Sequence, residues 1–448
     1  LGRISEEDKG RLVTACLDVD WRLEVLPYPR YLALYERRRQ GQAFSDQDLC
    51  DLLMWHNLSW FAHEFHQGPV RLVTGEQVSL APFLRREQGF TQADLEALMA
   101  EERKVLAAVV PLHRRLQDQG LIEVSTSPYY HPILPLLLDT DRATIDRPGA
   151  CLPARFHYPE DARAQMERGV ADYVRRFGRR PRGMWPAEGA VSADSVPLYL
   201  DQGIEWLASD QGVLERSGRY GYEASRADVL CRPYQARDGR RSLSIFFRHT
   251  HLSDLIGFYY HRAFADMDLA AQDFVRRLQH TIADHLTGQE DRIVSIILDG
   301  ENTLRAYGPR APQFLRALYR RLVDSPDLQT VTFSEYLSGN AARRIHAHPT
   351  DGQERIYELY TGSWIDEAGS EPGNDLGTWI GEPDENRAWE LLRQAREALQ
   401  ELGATPQTQP AAFEALYMAE GSDWFWWLGS DHEMARDAEV EAIFRRHL

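Results

Sequence analysis

Ile293-Val-Ser-Ile-Ile-Leu298 followed by Asp299-Gly-Glu-Asn302 sets a nearly continuous apolar run directly against a cluster of polar groups. Such a run, without polar alternation, predicts a strand covered on both faces, as in a parallel sheet with crossover helices. The pattern recurs at 121–126, 182–185, 204–209, 243–247 and 330–333, giving with 293–298 six candidate strands. Helical stretches separate them. The one at 159–177 has proline in its first turn and Gly178 just past its end, which are start and stop signals. Polar residues gather where the strands finish: Ser127-Pro-Tyr-Tyr-His131, Pro186-Ala-Glu188, Asp210, Arg248-His-Thr-His251 and Asp299-Gly-Glu-Asn302. In closed α/β barrels that rim carries the active site.

The flanks read differently. Residues 1–118 run as helix after helix, with Ser45 and Thr91 at N-cap positions and no strand expected. Residues 341–448 return to helix, periodic over 385–402, with aromatic residues at Trp424-Phe-Trp-Trp427. Gly362-Ser-Trp-Ile365 and Thr378-Trp-Ile-Gly381 form a Gly- and Trp-rich bridge. The expected organisation is an α/β chain with a helical insertion (1–118), a catalytic barrel (119–340) and a mainly helical C-terminal domain (341–448) that contributes tryptophans to the site.

Composition narrows the function. A net charge of −17 argues against a phosphate-backbone partner and is neutral towards an uncharged sugar polymer. No run approaches the roughly 20 apolar residues that span a bilayer. The 4 cysteines lie far apart with no zinc spacing, so no zinc or other metal site is expected from them, and reduced thiols and a cytoplasmic setting are the expectation. His63-Glu-Phe-His66 has a metal-like spacing but sits in the helical region, away from any strand end.

Cleaving a glycosidic bond with retention needs two carboxyl groups about 5–5.5 Å apart, one to attack the anomeric carbon and one to protonate the leaving oxygen. Glu188 and Asp299 each follow a candidate strand and would face one mouth. Glu301, two residues on, adds a like charge that raises the proton affinity of a neighbouring carboxyl. It is equally read as a loop cap or salt-bridge partner. Trp185, Trp364 and Trp379 are candidate stacking platforms for a pyranose ring, against the commoner fate of tryptophan as core. His131 follows a strand and could meet substrate hydroxyls or serve a structural role.

Taken in order, Ile122-Glu-Val-Ser-Thr-Ser-Pro-Tyr-Tyr-His-Pro-Ile-Leu-Pro-Leu-Leu137, Gly183-Met-Trp-Pro-Ala-Glu188, Leu252-Ser-Asp-Leu-Ile-Gly-Phe258, Leu298-Asp-Gly-Glu-Asn302, Gly362-Ser-Trp-Ile365, Trp379-Ile-Gly381, Asn386-Arg-Ala-Trp389 and Ala419-Glu-Gly-Ser-Asp-Trp424 resemble glycoside hydrolase family 57, specifically its amylopullulanase and α-amylase-like members. The resemblance implies a (β/α)7 barrel with an associated helical domain, a retaining mechanism on α-glucan polysaccharide or oligosaccharide, and no obligatory cofactor. It assigns Glu188 as nucleophile and Asp299 as general acid/base. Glu123 and Trp185 match positions lining the subsites near the cleavage point, Trp379 belongs to the last motif, and Arg248 and Asp254 match supporting positions. Two departures stand out. The His-Gln-Pro motif that ends the family's first strand is absent, and six candidate strands are one short of seven. Both are read as an N-terminal truncation.

Three alternatives remain open at this level. A 4-α-glucanotransferase or α-glucan branching enzyme would use the same carboxylates and pass the glycosyl group to a sugar hydroxyl. A metal-dependent polysaccharide deacetylase would need an Asp/His/His triad, for which only His249 and His251 offer themselves. A chain lacking a strand could also bind glucan without turning it over.

Overall fold

The structure, a computed structural model, describes residues 4–283, 291–365, 373–430 and 437–448. The chain forms two compact units, one of residues 1–122 with 304–314 and the other of 123–303 with 315–448. Among the described residues no helix is long and apolar enough to cross a membrane.

The first unit is built from helices α1 (Glu6–Leu17), α2 (Pro29–Arg39), α3 (Asp46–Trp60) and α4 (Gln92–Asp118). Ser45 and Thr91 are the N-caps the sequence predicts, and each forms a capping box with the aspartate three residues on. Tyr31, Leu34, Leu49, Leu52, Leu58 and Leu98 make its core. Asp51 is buried there but fully engaged: it accepts from Arg30 Nε at 2.8 Å and from the amides of Gly89 and Phe90 at 2.9 Å each. His66 has its ring nitrogens on Tyr28 Oη (3.4 Å) and the Leu58 carbonyl (3.1 Å), which accounts for the metal-like spacing as local packing. The expectation of no strand here is corrected by a small antiparallel pair, β1 (Val70–Arg71) and β2 (Gln77–Val78), closed by a turn through Gly75 at φ 91°.

The second unit holds the sheet. Its strands are β3 (Gly183–Met184), β4 (Trp206–Asp210), β5 (Tyr234–Asp238) and β6 (Arg241–Arg248), in the order β3-β4-β6-β5. β3, β4 and β6 are parallel, and single parallel bridges extend them to Thr126 on the β3 side and to Ser295 beside Arg248. The candidate runs at 182–185, 204–209 and 243–247 thus fall on real strands, whereas 121–126 and 293–298 each contribute one bridge. Two expectations need correction. β5, which the sequence reading missed, pairs antiparallel with β6 through a hairpin at Gly239. The run at 330–333 is not a strand: Thr332 Oγ1 accepts the Glu335 amide at 3.1 Å and starts a helix, while Phe333 stacks on Phe246 at 4.3 Å. No strand pairing among the described residues joins the Thr126 edge to the Ser295 edge.

Around this sheet pack α5 (Pro159–Phe177) and, from the C-terminal region, α6 (Pro383–Glu401), α7 (Pro410–Ala419) and α8 (Ser422–Leu428). Met166 and Val170 of α5, Leu207 and Ile245 of the sheet, and Leu392, Leu416 and Phe425 of the C-terminal helices share one core. Residues of the 341–448 region are thereby part of the same compact unit as the sheet. Gly183 is where β3 passes the Trp206 indole so closely that a Cβ would lie 1.8 Å from the ring.

Candidate active site

The parallel register sets Asp210 beside Arg248 at the C-terminal ends of β4 and β6. The loop after β3 brings Glu188 to the same edge, and Asp299 follows the Ser295 bridge. Glu188 sits at φ 55°, ψ 26°, a left-handed conformation that costs a non-glycine residue about 1–3 kcal/mol and persists only where its surroundings fix it. Two hydrogen bonds from one residue do that. Trp364 donates its amide to the Glu188 carbonyl (3.0 Å) and its indole Nε1–H to Glu188 Oε2 (2.7 Å). The other carboxylate oxygen lies 3.9 Å from His131 Nδ1.

His131 is also left-handed, at φ 57°. Its Nδ1 is 2.9 Å from Ser422 Oγ, and its carbonyl accepts the Ser422 amide at 3.1 Å, so the first residues of α8 set its pose. Burial lowers the His131 proton affinity, against the opposing pull of Asp423 and Asp299. Burial likewise pushes the Glu188 carboxyl up to about 7; the Trp364 N–H opposes this, and the negative charges of Asp299, Asp423 and Glu301 add to it. Four acidic side chains therefore share one field. Trp185 packs edge-on to Trp364 with ring centroids 5.1 Å apart.

Beneath them Arg248 organises the rim. Its Nε donates to the Ile297 carbonyl at 2.7 Å, Nη1 to Asp210 at 3.2 Å, and Nη2 to Asp254. The guanidinium also lies 5.4 Å from the centre of the Trp364 ring. The Ile297 amide donates to Ser253 Oγ at 3.1 Å, so both backbone polar groups of Ile297 are held two residues before Asp299. Asp210 accepts in addition from Thr250 (3.0 Å), Asn374 Nδ2 (3.0 Å) and the Gly212 amide (2.9 Å). Its burial raises its proton affinity and Arg248 opposes the rise.

The structure thus brings together Glu188, Asp299, Glu301, His131, Trp185, Trp364, Arg248 and Asp254. Trp364 meets the site as a hydrogen-bond donor to Glu188, a role beyond the stacking expected of it. Two candidates are corrected. Glu123 accepts from Trp206 Nε1 (3.2 Å) and the Ser334 amide (3.1 Å), at the first residue of β4. Four residues of extended chain, roughly 13 Å, separate that end from the rim. Trp379 is 0% exposed in the core, where its carbonyl accepts the Trp389 indole at 2.8 Å, so no sugar face can reach its ring. Asp423, Ser422, Asp210 and Asn374 were missed as site residues. Asp423 and Ser422 lie inside the quoted Ala419–Trp424 motif and Asp210 at a noted strand end, but only the fold shows what they touch.

A mainly parallel α/β sheet thus carries two neighbouring carboxyls, Glu188 and Asp299, at its C-terminal edge. The chain belongs to glycosyl hydrolase family 57, whose model matches residues 29–350. A 1,4-alpha-glucan branching enzyme of Thermococcus kodakarensis is 39% identical over 77 residues, a match spanning 17% of this chain and 9% of that enzyme. The crystal structure of a family 57 branching enzyme from the same organism superposes with a TM-score of 0.58 at 15% identity, over 98% of this chain and 84% of that one. The alpha-amylase AmyC of Thermotoga maritima gives 0.52 at 15% identity, over 98% and 78%. The 4-alpha-glucanotransferase of Thermococcus litoralis gives 0.53 at 17%, over 79% and 52%. At these identities the structural likeness is one of fold.

Proposed function

We infer that the chain is a retaining α-glucan-active enzyme of amylase or amylopullulanase type on a (β/α)7-type scaffold, cleaving α-1,4 glucosidic bonds, or α-1,4 and α-1,6 bonds, by double displacement. The observation that carries this reading is the Glu188 carboxylate, fixed through Trp364 and lying in the field of Asp299.

Glu188 attacks the anomeric carbon as the bond to the leaving oxygen breaks, and Asp299 delivers its proton to that oxygen. The product is a glycosyl ester on Glu188 with an ionised Asp299. In the second half Asp299 takes a proton from water, whose oxygen displaces Glu188, so two inversions give net retention. Glu188 must be ionised to attack, and protonation of Asp299 removes the largest of the neighbouring negative charges that hold the Glu188 proton on. One proton on the pair is favoured over two adjacent anions; the raised proton affinity of Glu188 keeps it there in the absence of substrate, and this mechanism requires it to lie on Asp299 when the glycosidic bond breaks. The Trp364 N–H stabilises the Glu188 anion and weakens as the ester forms.

The match to a branching enzyme over 77 residues supports a second reading, transfer to a sugar hydroxyl in place of water. Digestion of amylose separates the two: hydrolysis raises reducing ends, whereas branching shifts chain lengths and creates α-1,6 linkages at constant reducing value. No change in amylose on either measure would overturn both.

A further inference from the structure

A cavity of about 350 Å³ in the second unit is lined by Arg142, Ala193, Asp194, Arg216, Glu358 and Tyr360, among others. It shares no lining residue with the rim, yet both of its walls grow out of the site. One wall, Ala193-Asp194, follows Glu188 by five and six residues. The other, 358–361, runs directly into Gly362-Ser-Trp364. Between cavity and rim the two stretches are locked: Val191 and Gly362 exchange backbone hydrogen bonds of 2.9 and 3.1 Å, and Gly362 passes Asn374 so closely that a Cβ would sit 2.2 Å from its carbonyl oxygen.

The lining is chemically balanced. It offers two guanidinium groups, Arg142 and Arg216, against two carboxylates, Asp194 and Glu358. Arg142 Nη2 pairs with Asp194 at 2.8 Å, while its Nε is buried without a hydrogen-bond partner. Arg216 Nη1 donates to Asn374 Oδ1 (3.0 Å) and the Gly212 carbonyl (3.1 Å), reaching the residue whose amide group holds Asp210. Glu358 is held at φ 46°, a left-handed conformation, with its carbonyl accepting the Gly218 amide at 3.1 Å. The Tyr360 ring, Leu359 and Ile145 add apolar surface. Balanced charge gives a polyanion no net attraction. Paired donors and acceptors beside an aromatic ring suit a neutral, hydroxyl-rich molecule, and the volume is at the lower end of the roughly 300–1,000 Å³ typical of small-molecule sites.

We propose that this cavity is a second carbohydrate site, taking one or two glucose units of an α-glucan chain outside the stretch being cleaved. The proposal rests on the α-glucan reading for its ligand class. Its function is to raise retention of long chains without acting on the reacting bond. Long substrates gain from it through effective concentration, and short ones do not.

The test uses the full chain and two variants outside the catalytic machinery: Ala193→Trp, which fills the cavity from an exposed position, and Arg142→Gln, which breaks the pair with Asp194. Retention is measured by affinity electrophoresis in amylose gels, and turnover on maltopentaose. The expected result is an apparent amylose dissociation constant raised about fivefold to tenfold in both variants, with maltopentaose kcat/KM within about twofold of the parent. Unchanged amylose retention in both, with maltopentaose turnover intact, overturns the site and leaves the enzyme reading standing. Amylose retention that the variants weaken, in a parent that turns over no α-glucan, supports the site and overturns the enzyme reading instead.

Discussion

Trp364 holds Glu188 twice, its amide on the carbonyl at 3.0 Å and its indole N–H on the carboxylate at 2.7 Å. A residue 176 positions away in sequence thus holds both the left-handed backbone of Glu188 and one lone pair of its carboxylate. The other oxygen lies on the His131 side, 3.9 Å from its Nδ1.

Trp364→Phe keeps the ring and removes the donor. The N–H opposes the upward shift of Glu188, so its loss moves the acid limb of the kcat/KM profile to higher pH. A hydrogen bond to a charged group is worth about 1.5–3 kcal/mol, or roughly one to two pH units and a 10–100-fold loss near pH 6. An acid limb that stays in place would show that the indole bond does not control the nucleophile.

Asp299→Asn acts in the opposite direction on the same group. Removing the Asp299 charge lowers the Glu188 pKa, so the acid limb moves down while turnover of amylose falls about 10²–10⁴-fold. Substrates whose leaving group needs no proton, such as a maltosyl fluoride, should retain most of their first-step rate. Equal losses on fluoride and amylose would remove Asp299 from the acid role.

Stability carries the same signature. The folded pKa of Glu188, about 7, lies above its ordinary 4.5, so folding favours the neutral carboxyl. That contribution is complete below pH 4.5 and is lost as pH rises through 7. Glu188→Gln, which cannot ionise and can still accept from Trp364, should match the parent near pH 4. Above pH 7 it should exceed the parent by up to roughly 3 kcal/mol in chemical denaturation, from about 2.5 pH units at 1.36 kcal/mol each. A stability difference independent of pH would contradict the shift.

Arg248→Met leaves Asp210 buried beside no cation and releases the Ile297 carbonyl. Breaking a buried pair by removing one partner costs about 3–5 kcal/mol. Arg248→Lys should recover little of this, because one ammonium cannot reach Ile297, Asp210 and Asp254 together. Denaturant titration of both variants, with kcat on maltopentaose, checks the ranking; full recovery by lysine would show that charge alone matters.

How far the site was legible follows from where each signal lives. β4 and β6 announced themselves by apolar runs, and Glu188 and Arg248 by position at or just past a strand end. β5 was missed although Asp238-Gly239 is a hairpin signal, because its partner face is formed by the strand that follows it. The run at 330–333 misled because apolar Val331 and Phe333 pack on the sheet from a loop and a helix start. Trp185 and Trp364 were recognisable as aromatic residues near the rim, but the difference between a platform, a donor and a core ring such as Trp379 is tertiary. Glu123 was carried by motif alone, and its hydrogen bonds with Trp206 and Ser334 place it at the opposite end of β4. Asp423 was quoted within a motif yet given no role, since its effect on Glu188 arises only when α8 packs against His131.

The most direct test is the stereochemistry of azide rescue. With an activated α-maltosyl substrate, Glu188→Ala should be nearly inactive and regain turnover in azide with a β-glycosyl azide as product, because azide replaces the nucleophile on the face that Glu188 occupied. Asp299→Ala under the same conditions should give the α-azide. An α-azide from Glu188→Ala, or parental turnover by that variant without azide, would contradict the assignment of Glu188.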